Sequence, residues 1–431
     1  MPLHQLPGEI LLQIFGYLSV ADKHRVRATC IHLKEFVDCG LLWKDWTPVL
    51  NSFKRYNCDF WKLLRRRKIS QVVMRSRTAK DWQLLAWYLP SLTTLVMDET
   101  SNEIFDSLKN FCQLKHLAVR GSCSYVSLNG FTLPQAERLT HLSICNVFFN
   151  TGSEHLISAL AVFRNLKSLV CHSIDKNADL SKVIYSILCC FPQLKHLSWS
   201  CSPTKGAFRV PSPLPLENPH PLSSLELDEF HDSLSPDVMK LMPNLDSLVL
   251  RCNNDLCPDF FSKSLLIWLR GLHRLSSLAI SSGPRVYIYA DAIPSSVRTL
   301  TFCHEVISLL DIVSFARRLT NLVHLHVDTR SSYLDELPAH VPQLFPNLQI
   351  ISIRGENVLE EDFLDLHNMA DLKYVEMLDS WPELPELAAK FHELTDSRIL
   401  IRTSQQIDNL DCQCYRNGLT FHRLTSKNIF E

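Results

Sequence analysis

Cys412, Cys414 and His422 come closest to a metal-binding spacing in this sequence, a C-x-C pair with one histidine downstream. A closed zinc site wants four ligands, commonly supplied by two close pairs. No fourth ligand stands out, so neither a metal nor another cofactor is expected. Cys189 and Cys190 are adjacent thiols, but they sit in an apolar run of helical spacing, where a small sulfur side chain usually packs into a core. His155, His220 and His304 have no serine or cysteine at the spacing of a nucleophile and its base. The chain has 11 glycines and no two of them form G-x-G. That removes the phosphate-cradling loops of dinucleotide-binding and P-loop proteins, and the G-x-S-x-G nucleophile elbow. The chain reads as a non-enzyme.

Composition narrows the partners. Of 431 residues, 46% are hydrophobic, and 44 basic side chains face 45 acidic ones for a net charge of −1. A basic excess is what nucleic acids and anionic membranes demand, so neither is expected as a partner. No apolar run approaches the roughly 18 residues that span a bilayer. The 15 cysteines are odd in number, contain no C-x-x-C, and follow no secretory leader, which reads as reduced thiols in a cytoplasmic or nuclear protein. The run Arg65-Arg66-Arg67-Lys68 is either a nuclear signal or a solvated helix end.

A repeated phrase dictates the architecture. From about residue 89 the pattern L-x-x-L-x-L, or a close apolar variant, occurs twelve times, starting at Leu92, Leu114, Leu139, Leu166, Leu194, Leu222, Leu245, Leu275, Val297, Leu322, Leu348 and Leu372. Weaker copies flank the array at Ile69-Val72-Met74 and Ile399-Ile401. The intervals of 22 to 30 residues centre on the period of leucine-rich repeats. Apolar fourth and sixth places alternating with polar ones make a short strand with one buried face. Helical spacing fills the intervals, as in Val183-Ile184-Ile187-Leu188. Pro90, Pro192, Pro243 and Pro346 each stand two residues before a phrase and end the helix there. The expected fold over 69–402 is an α/β leucine-rich-repeat solenoid of about 12–14 repeats, a curved horseshoe with parallel strands inside and helices outside. Asn253 is the one clear case of the asparagine that usually follows the strand. Pro203, Pro211, Pro213, Pro215, Pro219 and Pro221 mark an extended surface insertion near 202–221, and residues 403–431 read as a terminal cap or tail.

The remaining phrase positions point away from the leucines and form columns. The third holds His116, His141, His196 and His324, the fifth Glu226 and His326, and the seventh Arg120, Asp228, Arg251 and Arg354, with Arg120 and His172 beside the histidine row. These are the candidate substrate-binding residues of the concave face. Either histidine is merely tolerated on a polar strand face, or the row prefers acidic or phosphorylated segments and binds tighter as pH falls toward 6.

Ahead of the repeats stands Leu6-Pro7-x-Glu9-Ile10-Leu11-x-x-Ile14-Phe15-x-x-Leu18, followed by short helices reaching Leu41-Leu42-Trp43. So few residues cannot bury so much apolar surface alone, and an exposed apolar face implies a partner. This run resembles an F-box, with Thr29 and Leu33 departing from the pattern. The whole chain resembles the F-box/leucine-rich-repeat proteins, substrate receptors of Skp1–cullin–F-box ubiquitin ligases. The resemblance implies a small all-α F-box over 1–46 whose Leu6, Pro7, Glu9, Ile10, Leu11, Ile14, Phe15, Leu18 and Trp43 bind Skp1. Through Skp1 it implies Cul1 and a RING subunit, with the repeats holding an unidentified substrate protein. A helical cap for the solenoid is the plainer reading of the same helices, and a non-degradative interaction scaffold the alternative function. Residues 47–68, rich in aromatics, read as a packed helical linker.

Overall fold

The computed structural model describes residues 6–51, 53–76, 78–98, 107–120, 125–126, 136–145, 147–149, 156–157, 160–172, 180–200, 219–230, 236–252, 259–304, 306–329, 334–354, 358–378 and 384–403. Cys412, Cys414 and His422, His155, Asn253, most of the proline-rich segment and the tail from 404 lie outside them. The chain forms two compact units, one within residues 1–175 and one within 176–408. Among the described residues no helix is long and apolar enough to cross a membrane.

The first unit opens with three short helices, α1 (Gly8–Gly16), α2 (Val20–Arg27) and α3 (Ile31–Val37), and a 3₁₀ turn at Gly40–Trp43. Ser19 caps α2 by accepting from the Asp22 amide at 3.1 Å. Then come β1 (Val49–Leu50), α4 (Cys58–Arg66), β2 (Gln71–Met74), α5 (Ala79–Tyr88), β3 (Thr94–Asp98), β4 (His116–Arg120), β5 (Tyr125–Val126), β6 (His141–Cys145), β7 (Phe148–Phe149) and β8 (Ser168–His172). Strands β1-β2-β3-β4-β6-β8 pair in parallel in that order, and β5 with β7 forms a separate parallel pair. The sheet therefore opens at Val49, inside the segment that reads as linker. That segment is packed: Phe53 stacks on Trp61 at 4.1 Å, and Trp61 on Tyr88 of α5 at 5.2 Å.

The second unit carries α6 (Leu180–Cys190), β9 (His196–Ser200), β10 (Ser224–Phe230), α7 (Pro236–Lys240), β11 (Ser247–Cys252), α8 (Asp259–Gly271), β12 (Ser277–Ser281) and β13 (Thr299–Cys303). It continues with α9 (Leu309–Ala316), β14 (His324–Asp328), α10 (Leu337–Leu344), β15 (Ile350–Ile353), α11 (Glu360–Leu364), β16 (Tyr374–Met377), α12 (Leu384–Leu394) and β17 (Leu400–Thr403). Each of these strands pairs in parallel with the next. All twelve phrases are strands that begin at the third residue of the phrase, and the two weaker flanking copies are β2 and β17. The first, fourth and sixth positions are buried throughout, so each repeat contributes three apolar side chains to a shared core. Parallel strands with intervening helices at this period are the leucine-rich-repeat fold.

The asparagine missing after the strands has a substitute before them. The residue preceding a phrase reaches back to the carbonyl two residues before the previous phrase. Asn165 Nδ2 donates to the Glu137 carbonyl at 2.7 Å, Asn347 Nδ2 to that of Thr320 at 2.9 Å, and Arg138 to that of Cys112. Arg398 extends the device, with Nη1 donating to the Met369 and Ala370 carbonyls at 2.7 and 2.9 Å and Nη2 to that of His367 at 3.0 Å. These bonds satisfy turn carbonyls that the repeat would otherwise leave to water. Arg398→Ala is expected to destabilise the second unit by about 2 kcal/mol, the scale of hydrogen bonds to a charged donor. Urea unfolding checks it, and Arg398→Lys, lacking the planar fork, should restore little. An unchanged midpoint in Arg398→Ala would remove the argument.

Candidate functional site

Helix α1 carries two apolar stripes rather than one. Leu11 and Phe15 point inward, 0% and 2% exposed, and with Val37 and Trp43 they form the core of the three-helix module. Ile10, Ile14 and Tyr17, spaced i, i+4 and i+7, form the second stripe and are 43%, 38% and 85% exposed. Pro7 and Glu9 are exposed as well, while Leu6 and Leu18 are half-buried. Ile31 and Leu41 add exposed apolar surface in the same module. The expectation that all of the motif's apolar residues face a partner is corrected for Leu11, Phe15 and Trp43. A small domain needs a core of its own, and these three supply it.

Trp43 is held from three sides. Its indole N–H donates to the Val37 carbonyl, the His24 ring lies 5.5 Å away, and the Arg67 guanidinium sits 3.5 Å over its face. Arg67 is 1% exposed and donates from Nε and Nη2 to Asp38 Oδ1 at 3.1 and 3.0 Å; Arg27 Nε donates to the same oxygen at 2.9 Å. Burial pushes the Asp38 carboxyl up, but the bonds from Arg27 and Arg67 overcome this and hold it below the usual carboxylate range. Gly40 lies against the same corner, where an added Cβ would come within 3.1 Å of the Arg67 carbonyl oxygen. Of the basic run, Arg65, Arg66 and Lys68 are exposed but Arg67 is not, so the run is not simply a solvated helix end.

On the sheets, strand register assembles the columns read from the sequence. In the first unit Thr94, His116, His141 and Ser168 are successive register partners. Thr94 Oγ1 is 3.2 Å from His116 Nδ1, and the His116 and His141 rings meet edge to face at 4.3 Å. In the second unit the column runs from His196 through Ser224, Ser247, Ser277 and Thr299 to His324, with His196 Nδ1 3.0 Å from Ser224 Oγ. The charges are less available than the sequence implies. Arg120, His172, Glu226 and Asp228 are buried, while His116, His141, His196, Arg251, His324, His326 and Arg354 are half-buried. Glu226 pairs with Arg251, and Asp328 with Arg354 at 2.7 Å. Neighbouring parallel strands stand about 4.8 Å apart, so side chains in one column shield each other and opposite charges pair along it. A charged rim free for a partner is therefore corrected to ion pairs between repeats. His220 and His304 are structural: His220 Nε2 bonds the Phe191 carbonyl at 2.9 Å, and His304 Nε2 lies 3.3 Å from the Tyr289 hydroxyl.

Residues 3–46 match the F-box-like family, the segment that forms the three-helix module. A bovine relative, F-box/LRR-repeat protein 12 of Bos taurus, is 37% identical over 67 residues, which are 16% of this chain and 20% of the bovine protein. The chain thus has an F-box-like module ahead of leucine-rich repeats, and the match spans only about a fifth of the bovine relative's length. Among solved structures it is similar at 13% identity to the yeast Rad7–Elc1 complex, with a TM-score of 0.41 over 94% of this chain and 91% of that one. It is similar, also at 13% identity, to the TLR13–ssRNA13 complex, with a TM-score of 0.38 over 73% of this chain and 40% of that one.

Burial pushes His116, His141, His324 and His326 toward the neutral form. Burial, then His141 and Lys115, push His116 down to about 4; burial and Lys167 push His141 down. Burial also lowers His324 and His326 against the pull of nearby acids. Of the two readings of the row, histidine tolerated on a polar strand face fits these downward shifts, and readily charging histidine does not. Stability should register this. Above about pH 7 both folded and unfolded His116 are neutral and nothing changes. As pH falls from about 6.5 toward 4 the unfolded chain takes up a proton that the folded one refuses, and stability is lost. Urea midpoints measured across that window should fall, with a shallower slope in His116→Gln. Equal slopes for the two proteins would contradict the burial argument.

Proposed function

We propose that this chain is a substrate-recognition subunit of an SCF-type ubiquitin ligase, whose F-box docks on Skp1 while its repeats hold a target protein. F-box/leucine-rich-repeat proteins are generally non-catalytic adaptors, and the chain is assigned that role: ubiquitin transfer belongs to other subunits, reached through Cul1 and a RING protein. The observation that carries the reading is the second stripe of α1, where Ile10, Ile14 and Tyr17 stay exposed after the module has completed its own core. A single exposed apolar side chain is ordinary, but an apolar stripe along one helix face, joined by exposed Ile31 and Leu41 in the same module, fits a surface that a partner covers. Half-buried His116, His141, His196, Arg251, His324, His326 and Arg354 are the residues through which the sheets would read a target. The chain is placed in the cytoplasm, with exposed Arg65, Arg66 and Lys68 as the basis for nuclear entry. Affinity capture with and without a neddylation inhibitor, followed by mass spectrometry, tests the assignment. Skp1 and Cul1 should co-purify, and targets should accumulate on the chain when neddylation is blocked. Skp1 without Cul1 would favour a non-degradative scaffold.

A further inference from the structure

Strand pairing brings three metal-ligating side chains together that stand a full repeat apart in sequence. Cys303 ends β13, and its register partner on β14 is Asp328. His326 precedes Asp328 by two residues, so the alternation of a strand turns both to the same face. Phe302, Leu325 and Val327 turn the other way, into the leucine core. The result is one sulfur, one ring nitrogen and one carboxylate oxygen that all lie within 4.8 Å of one another. All three side chains are half-buried, open enough for an ion to enter.

The surroundings suit a cation despite two arginines. Arg354 Nε donates to Asp328 Oδ1 at 2.7 Å, which orients the carboxylate as an outer-shell partner does for a metal ligand. Arg251 is paired with Glu226. Ser281, the register partner of Cys303 on β12, hydrogen-bonds the thiol. On loading, the thiol gives up its proton, and the resulting thiolate and the carboxylate together offset the ion's two charges. The donor set decides which ion: calcium and magnesium take oxygen ligands, whereas sulfur with imidazole and carboxylate is the ligand chemistry of zinc. We propose that Cys303, His326 and Asp328 form a zinc site on the polar face of the second unit, with three protein ligands and a fourth position facing solvent. Such a site does not involve the F-box, and it shares His326 and Arg354 with the residues proposed to read a target.

The test uses the 431-residue chain, stripped with a chelator and titrated with zinc. A metal-bound thiolate is a poor nucleophile, so zinc should slow alkylation of Cys303 by about ten-fold or more, read by mass spectrometry of its peptide, and a chelator should restore it. Cys303→Ser and His326→Ala should weaken zinc binding at least as much as losing an outer-shell partner does, roughly 10–100-fold. Cys112→Ser, an exposed cysteine of the first unit, should leave it unchanged. Cobalt in place of zinc should give a thiolate charge-transfer band that both ligand variants lose. The proposal is overturned if zinc leaves Cys303 alkylation unchanged, or if Cys303→Ser and His326→Ala bind zinc like the parent. The alkylation result comes from the unsubstituted chain and stands even where a variant fails to fold.

Discussion

Asp38→Ala is expected to destabilise the first unit by about 3–5 kcal/mol, the cost of removing one partner from a buried ion pair. Asp38 and Arg67 side chains are each 1% exposed, so the substitution strands a guanidinium with no carboxylate and no water. Stacking on Trp43 at 3.5 Å keeps Arg67 from swinging out to solvent. Burial lowers the Arg67 pKa and Asp38 partly restores it, so the charge is held in place chiefly by its partner. The double variant Asp38→Ala/Arg67→Met should lose much less than the two single changes together, because no fully buried charge is left behind; Arg27, the other partner of Asp38, is 28% exposed and can turn to water. The pH dependence carries a sign of its own. Asp38 titrates lower when folded, so its contribution is complete above the ordinary carboxylate range near 4 and is lost as pH falls through its folded value. This window lies below the one in which His116 acts. Urea unfolding followed by tryptophan fluorescence measures all three proteins, and a loss under about 1 kcal/mol in Asp38→Ala would sink the argument. The pair also joins α3 to the end of α4, which makes it the fastening between the F-box and the first strands of the sheet.

The repeats were legible because each phrase carries its own evidence. Leu245, Leu248 and Leu250 announce a buried strand edge without reference to any other repeat, and the prolines at 192, 243 and 346 announce where the helices before the strands stop. β1 was not legible, since Val49–Leu50 pairs with β2 but is too short to show a period. Arg67 was hidden for a different reason. Its neighbours Arg65, Arg66 and Lys68 are solvated, and nothing local says that one of four cations faces an aspartate just past the end of another helix. The same limit governs the polar columns. Which charge on β10 meets which charge on β11 depends on register across a repeat, so the Glu226–Arg251 pair is a property of two strands and not of either phrase. Cys303 with Asp328 is another such property. A signal was available in principle: once the phrases are aligned, Cys303 and Asp328 share the seventh column and His326 stands in the fifth. Reading columns across neighbouring repeats for ligand types, rather than for charge alone, would have found the trio.

Ile10→Asp is expected to abolish capture of Skp1 while leaving the fold intact. The two halves of this expectation rest on the same number, the 43% exposure of Ile10. An aspartate there remains in water when the chain is alone, and surface changes of this kind usually alter stability by no more than about 0.5 kcal/mol. In an interface the same carboxylate would be driven into apolar surroundings, and the lost anchor alone costs on the order of 2 kcal/mol. Ile14→Asp, one turn along the same stripe, should behave alike, and the two together should leave no measurable binding. Leu11→Ala and Phe15→Ala make the necessary contrast. They belong to the same sequence motif, but their side chains fill the module's core, and truncating them costs about 2–5 kcal/mol of folding free energy. Loss of Skp1 in those variants would report an unfolded F-box and say nothing about the docking face. Pull-down of Skp1 paired with thermal unfolding of each protein separates the two groups. Undiminished Skp1 capture by a folded Ile10→Asp/Ile14→Asp chain would mean that the exposed stripe of α1 is not the docking surface, and the ligase assignment would lose the observation on which it stands.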